Sequence, residues 1–278
     1  MTINCKGNLI DCSVPRVMGI LNSTPDSFFA KSRLTDADAI LVRVEKMLAQ
    51  GATFIDIGGY SSRPGAAFVS VEAEMERVIP VVDLILDHFP SALLSIDTFR
   101  SDVARAGVGH GAAMINDISA GMFDAAMLET VAQLQVPYAM MHLGGTFETM
   151  HKAADYNDVT KDVLFYFSQR IAAARATGIN DIIVDPGFGF SKTLEQNYEI
   201  LQKLELFELL ELPVLVGFSR KSMIQKVLGV SANDALNGTS VLNTLALTKG
   251  AKILRVHDVA EAVETIRLFR TASQLTFD

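Results

Sequence analysis

The sequence contains little cysteine, no long apolar run and no excess of basic residues, and each shortage excludes a class of protein. Its two cysteines, Cys5 and Cys12, form neither a disulfide framework nor, without neighbouring histidines, a zinc site. No segment approaches the ~18 consecutive apolar residues of a membrane helix, and no basic segment followed by an apolar one indicates a signal peptide. We therefore expect reduced thiols in a soluble, cytoplasmic protein that does not associate with membranes.

Acidic residues outnumber basic ones, 32 to 24, which gives the 278-residue chain a net charge of −8. Such a chain repels phosphate wherever its basic residues are not locally concentrated, so general nucleic-acid binding is excluded. With 49% hydrophobic and 20% charged residues, the composition is that of a folded protein rather than a disordered one. The length suits an α/β barrel, and the lack of Pro- or Ser-rich linkers predicts a single domain spanning residues 1–278.

Short apolar segments alternate with longer helical patterns along the chain, which is typical of βα units and a parallel sheet. Eight such segments occur, the number that closes a (β/α)8 TIM barrel, and no G-x-G-x-x-G pattern follows the first to favour an open, doubly wound sheet. A short N-terminal β-hairpin, turning at Lys6-Gly7, is expected to cover the bottom of the barrel. The predicted strands are Val17–Leu21, Thr53–Ile57, Leu93–Ile96, Met114–Ile118, Tyr138–Met141, Ile182–Val184, Val214–Val216 and Ile253–Val256.

Helical patterns fill the intervals between the predicted strands. The first helix is expected to begin after a capping residue, Thr35, and to end at Gly51. A longer helix is predicted over Asp158–Thr177, with Gly178 ending it. Three others are predicted over Leu194–Leu210, Asn233–Leu247 and Asp258–Ser273.

Polar residues follow every predicted strand, at the end where barrel enzymes hold their active sites. Asp97, Asn116 and Asp185 offer two carboxylates and one amide, which suit the N–H and carbonyl edge of a flat heterocycle. A second, basic set suits an anion, and Lys221 can reach either set. The sequence therefore predicts a substrate with a polar ring at one end and a phosphate at the other. The basic set comprises Arg63, Arg220, Arg255 and His257 with Ser61, Ser62 and Ser219.

The motifs at these strand ends resemble those of the dihydropteroate synthases, and the resemblance runs in order along nearly the whole chain. SSRPG, and SRKS combined with RVHD, are specific to that family, whereas DPG alone would be a weak signal. The motifs are MGILNSTPDSF (Met18–Phe28), IDIGGYSSRPGA (Ile55–Ala66), SIDTF (Ser95–Phe99), INDIS (Ile115–Ser119), MMH (Met140–His142), DPGFGFSKT (Asp185–Thr193), SRKSMI (Ser219–Ile224), NGTS (Asn237–Ser240) and LRVHDV (Leu254–Val259).

The resemblance implies a transferase of folate biosynthesis. Such an enzyme joins 6-hydroxymethyl-7,8-dihydropterin diphosphate to 4-aminobenzoate and releases 7,8-dihydropteroate and diphosphate. The resemblance also implies Mg²⁺, a homodimer, and sulfonamides as inhibitors that mimic aminobenzoate. Because the aminobenzoate nitrogen is a weak nucleophile and the pterin methylene cation is stabilised by conjugation, we expect a dissociative, SN1-like mechanism. The main task of the site is then to stabilise the leaving group.

Carried over position by position, the resemblance assigns three substrate regions and a set of catalytic residues. The pterin region comprises Asp97, Asn116, Asp185 and Lys221, with Met141 and Gly217 beside the ring and Asp56 as a supporting carboxylate. The diphosphate region comprises Ser61, Ser62, Arg63, Arg255 and His257, to which the basic pattern adds Arg220. The aminobenzoate region comprises Pro64, Phe190 and Ser219. The expected catalytic residues are Asn22, which is also the metal-linked residue, Asp26, Arg63, Lys221, Arg255 and His257.

The first loop departs from the family pattern. Family members commonly follow TPDSF with an acidic residue and two glycines, but this chain reads Phe29-Ala30-Lys31-Ser32-Arg33. Ala30 therefore replaces an acid that helps to organise the metal in the family, although Asp26 remains. Tyr60 also stands where many members have Glu, and no proline follows the Gly-Thr of the fifth loop.

Three alternatives stay open on the sequence alone. A degenerate paralogue that binds pterin without turnover is consistent with Ala30. A methyltetrahydrofolate–corrinoid methyltransferase also binds a pterin in a barrel, but it needs no diphosphate site. A Schiff-base aldolase would use Lys221, placed beside arginines as such chemistry requires, yet it leaves Asp97, Asn116 and Asp185 unexplained.

Overall fold

An N-terminal β-hairpin leads into a barrel in the computed structural model, which describes residues 1–22, 33–60, 68–145, 149, 152 and 155–274. For residues 22, 33–36 and 274 it describes the backbone only. The hairpin pairs β1 (Thr2–Cys5) with β2 (Asn8–Asp11) in antiparallel register. It turns at Lys6-Gly7 as predicted, with Gly7 at a φ of +83°, which glycine adopts without strain.

Eight parallel strands follow the hairpin, and each contains most or all of one predicted apolar segment. Four of them are β3 (Arg16–Asn22), β4 (Phe54–Gly58), β5 (Leu94–Asp97) and β6 (Met114–Asp117). The others are β7 (Tyr138–Met141), β8 (Ile182–Asp185), β9 (Leu215–Val216) and β10 (Ile253–Val256).

Hydrogen bonds join these strands in the order β8-β7-β6-β5-β4-β3-β10-β9. The two outer strands meet at a parallel bridge between Val184 and Val214, where the Val184 N–H donates to the Pro213 carbonyl oxygen at 3.0 Å. The sheet therefore closes on itself, and the predicted TIM barrel is confirmed. Strands such as β4 and β6 are buried along their whole length, as expected for parallel strands covered on both faces.

Helices cover the outside of the barrel. Five of them are α1 (Arg33–Ala49), α2 (Val71–His88), α3 (Ser101–Gly109), α4 (Met127–Leu134) and α5 (Val159–Thr177). The rest are α6 (Leu194–Gln202), α7 (Ser222–Leu228), α8 (Leu236–Thr248) and α9 (Val259–Gln274), with a 3₁₀ helix over Leu204–Leu210.

Several predicted helix boundaries are wrong. The helix expected over Leu194–Leu210 is two elements, because the buried residues Leu204 and Phe207 lie three apart, a spacing that suits a 3₁₀ turn. The helix expected from Asn233 begins at Leu236. The first helix begins at Arg33, so Thr35 lies inside it and does not cap it.

The hairpin packs into the bottom of the barrel, as the sequence predicts. Ile3, Cys5 and Cys12 are fully buried and join one apolar cluster with inward-facing residues of the barrel strands, among them Met18 and Phe54. The bottom is thereby closed, and the polar residues collect at the opposite end. Among the described residues, none of the helices is long and apolar enough to cross a membrane.

Candidate active site

Strand register places three predicted site residues in one row at the carboxyl end of the barrel. Asn22 of β3 lies opposite Gly58 of β4, Gly58 lies opposite Asp97 of β5, and Asp97 lies opposite Asn116 of β6. Because parallel strands end at the same rim, polar side chains that follow them converge there. The structure therefore brings together residues that lie far apart in the chain.

Arg255 of β10 is the hub of an ion-pair network beneath this rim. Its Nε donates to Asp56 Oδ2 and its Nη2 donates to Asp97 Oδ2, each at 2.7 Å. Asp56 Oδ2 also accepts a hydrogen bond from Asn116 Nδ2 at 3.0 Å. Asp56 is fully buried and contacts Arg255 and Asn116 from beneath the rim. The second oxygen of this carboxylate, Oδ1, is buried without a hydrogen-bond partner among the described residues.

The charges in this network shift one another's ionisation. Burial raises the pKa of Asp97 to about 7, although the positive charge of Arg255 opposes the rise. Burial also acts to lower the pKa of Arg255, but the carboxylates of Asp56 and Asp97 outweigh it and raise that pKa. Arg255 is therefore charged at any working pH, whereas Asp97 titrates near neutrality.

Asp185 and Lys221 form a second polar pair at the rim. Asp185 Oδ1 accepts a hydrogen bond from the Gly187 N–H at 2.8 Å, and Lys221 Nζ donates to the Phe188 carbonyl oxygen at 2.6 Å. Burial raises the pKa of Asp185, against the opposing charge of Lys221. Burial lowers the pKa of Lys221 to about 8, although Asp185 favours the charged form. The ammonium also lies 4.8 Å from the centre of the Phe190 ring, a cation–π distance.

Gly217 lies between these two groups of charges. A Cβ placed on it would lie 3.8 Å from Lys221 Nζ and 3.9 Å from Arg255 Cβ. The glycine therefore brings the backbone close to both the lysine and the arginine. Met141 belongs to a small apolar cluster against which Phe190 packs, so the site combines a polar edge with an apolar wall.

Ser219 and His257 lie together at the ends of β9 and β10. Ser219 Oγ is 2.9 Å from His257 Nδ1, and the His257 backbone N–H donates to the same Oγ at 3.1 Å. The serine hydroxyl thus holds the histidine in place. Ser219 was expected to contact aminobenzoate, and His257 was expected to contact diphosphate. His257 follows Val256, the last residue of the strand that carries Arg255.

Arg220, which the sequence places in the diphosphate region, has protein partners in the structure. Its Nε and Nη2 donate to the carboxylate of Asp258 at 2.8 and 2.9 Å, and its Nη1 donates to the carbonyl oxygens of Ala232 and Asn233. All three guanidinium nitrogens are thus engaged by neighbouring protein groups. In the structure this arginine ties the loop after β9 to Asp258, the residue before α9, and its contact with diphosphate stays a prediction.

Several predicted site residues lie outside the described residues. These are Asp26, Ser61, Ser62, Arg63 and Pro64, together with the side chain of Asn22 and the atypical residues Ala30, Lys31 and Ser32.

An ion-pair cluster that the sequence did not predict joins helix α2 to Arg100, which follows β5. Arg100 Nη1 pairs with the buried carboxylate of Glu74 at 2.7 Å, and its Nη2 donates to the Val69 carbonyl oxygen at 2.6 Å. Its guanidinium carbon lies 5.2 Å from the ring centre of Tyr60 and 5.6 Å from that of Phe68. The one sequence signal for this cluster was the position of Arg100 directly after the SIDTF motif. That signal is weak, because an arginine exposed on the surface could stand at the same position.

A second group missed by the sequence analysis involves Lys192 and His142. Lys192 Nζ lies 3.0 Å from His142 Nδ1, in the loop that follows Asp185. Both residues stand inside motifs that carry the family resemblance, DPGFGFSKT and MMH, so a signal was present but was not used. The described residues contain no group of three or more His, Cys, Asp and Glu side chains that could hold a metal ion.

Comparison with known proteins identifies relatives of this site and fold. A sequence model of a family described as pterin-binding enzymes matches residues 18–257. A dihydropteroate synthase of Escherichia coli (strain K12) is 43% identical over 270 residues, which are 96% of this chain and 95% of that protein.

Solved structures agree. A dihydropteroate synthase of Xanthomonas albilineans with 4-aminobenzoic acid superposes with a TM-score of 0.91 at 38% identity, covering 99% of each chain. The same organism's enzyme in complex with 7,8-dihydropteroate superposes with a TM-score of 0.88 at 35% identity, covering 99% of this chain and 100% of the other.

Proposed function

This chain belongs to the dihydropteroate synthases, a family of pterin-binding enzymes, and from that membership we propose its reaction. It transfers the dihydropterin-6-ylmethyl group of 6-hydroxymethyl-7,8-dihydropterin diphosphate to the amine of 4-aminobenzoate, giving 7,8-dihydropteroate and diphosphate. The observation that supports this most directly is the convergence of Asp97, Asn116, Asp185 and Lys221 at one rim of the barrel. Two carboxylates, an amide and an ammonium match the donor and acceptor edges of a pterin.

The pterin end of the site binds by charge-assisted hydrogen bonds. Asp97 and Asp185, when ionised, accept from ring N–H groups, and charged Lys221 donates to a ring acceptor. Asn116 is oriented because its Nδ2 donates to Asp56, which leaves its amide oxygen to accept a hydrogen bond. The ring is therefore held by groups that the ion-pair network fixes before substrate arrives.

The diphosphate end binds by cations and hydroxyls. We propose His257, Ser219 and the outer part of Arg255 as described contributors, with Ser61, Ser62 and Arg63 joining them. As the bond between the pterin methylene and the diphosphate oxygen breaks, negative charge builds up on the leaving group, and these donors stabilise it. Arg255 is suited to this because its guanidinium is one-fifth exposed while carboxylates anchor it from beneath.

We propose Mg²⁺ as the metal of the reaction, with Asn22 as the protein residue that would bind it. Mg²⁺ is commonly bound by one or two protein oxygens together with substrate phosphates and waters. The backbone of Asn22 ends β3 in the same row as Asp97, so we propose Asn22 as the protein residue that would hold the ion. A bound Mg²⁺ would supply positive charge to the leaving diphosphate.

The bond-forming step needs no strong base. The neutral amine of aminobenzoate attacks the methylene cation, a C–N bond forms, and the nitrogen then loses a proton to solvent or to the departing diphosphate. Phe190, held against the Lys221 ammonium, is proposed to pack against the aminobenzoate ring, with Ser219 and Pro64 completing that region. This agrees with the dissociative mechanism expected from the chemistry of the substrates.

The direct test is a coupled assay of diphosphate release. Purified protein with dihydropterin diphosphate, 4-aminobenzoate and Mg²⁺ is expected to release diphosphate and form dihydropteroate only when aminobenzoate is present. Tight pterin binding without aminobenzoate-dependent product would instead support the degenerate paralogue that Ala30 raises. A control with His110→Gln, an exposed histidine paired with Asp83, should match the native rate, whereas His257→Gln should raise the KM for the diphosphate substrate.

We further propose a single-domain, cytoplasmic homodimer. The two cysteines are free and buried, which is usual for proteins of a reducing compartment. Exposed apolar residues that lie one turn apart on α8, Val241 and Leu245, together with Leu268 of α9, offer a surface for self-association. Sedimentation of the native protein and of Val241→Asp tests the dimer: a monomeric native protein would contradict it.

A further inference from the structure

Lys192 is a half-buried lysine that the proposed mechanism does not use. It lies on the loop between β8 and α6, and its Nζ is 3.0 Å from the Gly187 carbonyl oxygen, 3.1 Å from the Phe190 carbonyl oxygen and 3.0 Å from His142 Nδ1. An ammonium has three N–H donors. Each donor therefore has one acceptor, two on the loop itself and one on the end of β7.

His142 is suited to be the third acceptor. It is 4% exposed, and its ring packs edge-on against Tyr166 with 4.8 Å between ring centres. Burial lowers the pKa of His142 to about 2, and the charge of Lys192 acts in the same direction. A neutral ring with its proton on Nε2 accepts at Nδ1, so we assign that tautomer from the contact with the lysine.

The loop that Lys192 holds contacts both substrate regions. Its Gly187 N–H donates to the carboxylate of Asp185, its Phe188 carbonyl oxygen accepts from Lys221, and its Phe190 ring faces the Lys221 ammonium. A shift of this loop would therefore move a pterin ligand and the aminobenzoate wall together. Two side chains of the loop resist such a shift where it meets the segment after β7. Lys192 contacts His142, and Ser191 Oγ donates to the Gly144 carbonyl oxygen at 2.8 Å and accepts from the Gly144 N–H at 3.1 Å.

Removing the ammonium of a lysine from water costs free energy, so the position of Lys192 needs an explanation. Burial lowers the pKa of Lys192 to about 7, with Asp185 opposing this and Lys221 adding to it. A side chain needed only to fill space would be apolar, because an apolar group avoids the desolvation cost of an ammonium. The two carbonyl contacts and the histidine contact show what the charged end does instead: it joins the loop to the neighbouring strand.

We propose that Lys192 is a positioning residue, which locks the 187–190 loop to His142 at the end of β7 and thereby sets the spacing between Asp185 and Phe190. This inference rests on the proposed function, since those two residues are taken as the pterin and aminobenzoate contacts. Lys192 itself touches neither substrate. Its removal should change how substrates bind in a protein that remains folded.

The test compares Lys192→Met with a matched control, Lys249→Met. Lys249 also donates to a main-chain carbonyl, that of Gln202, and to the carboxylate of Glu205, but it lies away from the site. We expect Lys192→Met to raise both the Kd for 6-hydroxymethylpterin and the KM for aminobenzoate about tenfold. Because a displacement of ~1 Å can cost ~10²-fold, kcat/KM should fall by about that factor. The control should keep native values.

The partner residue supplies a second, independent comparison. In His142→Asn the amide oxygen can replace Nδ1 as acceptor, so near-native binding is expected, whereas His142→Leu should share the defects of Lys192→Met. The double variant Lys192→Met/His142→Leu should be no worse than either single one, because both remove the same contact. If Lys192→Met does not fold, the two histidine variants decide the matter alone.

Two results would overturn the proposal. One is native Kd and KM values in Lys192→Met. The other is a fall in the number of pterin sites per chain with an unchanged Kd, which indicates a merely structural role. The pterin Kd is measured without turnover, so it tests Lys192 even if the native protein makes no dihydropteroate. A native protein that makes no dihydropteroate would count against the proposed function and not against the role of Lys192.

Discussion

Asp97→Asn is expected to stabilise the protein while weakening its binding of pterin. Burial raises the pKa of Asp97 from 3.8 to about 7, so the folded protein disfavours the ionised carboxylate. One pH unit of displacement corresponds to about 1.4 kcal/mol, and the difference of roughly three units then amounts to about 4 kcal/mol at pH 8. An amide resembles the protonated acid in shape and charge, so the variant avoids most of this cost.

The sign can be checked by varying pH. A raised folded-state pKa means that the contribution of Asp97 to stability is fully present below pH ~4 and is lost as pH rises to ~7. Asp97→Asn should therefore exceed the native protein in unfolding free energy by several kcal/mol at pH 8 and by much less at pH 5, as measured by urea unfolding. The exposed substitution Asp87→Asn should change stability by no more than ~0.5 kcal/mol at either pH.

A contrary result would identify the stronger interaction. If Asp97→Asn is less stable than the native protein at pH 8, the ion pair between Asp97 and Arg255 outweighs the desolvation of the carboxylate. If the difference between variant and native protein is the same at pH 5 and pH 8, Asp97 does not titrate between them. Either finding would refute the reasoning above.

Three further predictions concern the same site. Gly217→Ala should fold normally, since its Cβ would make only ordinary contacts at 3.8 and 3.9 Å, but it should raise the pterin Kd in calorimetry by adding a methyl group beside Lys221 and Arg255; an unchanged Kd would place the ring elsewhere. Gly187→Ala should destabilise the protein in thermal unfolding, because its Cβ would overlap the His142 carbonyl oxygen at a φ of +72°; a native unfolding temperature would contradict that contact. Removal of Mg²⁺ by a chelator should abolish diphosphate release and leave the Kd for 6-hydroxymethylpterin unchanged, and turnover without the metal would reject its role.

The barrel was predictable because its signals are local. Each strand is a short apolar segment such as Phe54–Gly58, and the register of parallel strands then decides which polar residues meet at the rim. The convergence of Asp97 and Asn116 follows from this without any knowledge of side-chain conformation. The hairpin was predictable for the same reason, since its turn at Gly7 is a local glycine signal.

Side-chain pairing was not predictable, because it depends on distances across the fold. Arg220 and Arg255 carry the same charge and follow neighbouring strands, yet Arg220 pairs with Asp258 and Arg255 pairs with Asp56 and Asp97. Nothing in the sequence separates these two environments. The partners of Lys192 likewise lie on another strand, 50 residues away in the case of His142.

These pairings also change how an acidic protein is expected to hold a diphosphate. The sequence predicts a local excess of basic residues at the rim, which would attract phosphate despite a net charge of −8. In the structure, the charge of Arg255 is balanced by Asp56 and Asp97, and Lys221 lies beside Asp185. The pterin end therefore has no excess of positive charge, which suits an uncharged ring.

The positive charge that stabilises a departing diphosphate must then come largely from other groups. Both described arginines at this rim, Arg220 and Arg255, are already paired with carboxylates. Arg63 and Mg²⁺ become the main proposed sources, which gives both a larger part in the reaction than the count of basic residues implies. Neutralising Arg63 should accordingly slow diphosphate release more than it weakens pterin binding, because only the leaving group gains charge as the bond breaks.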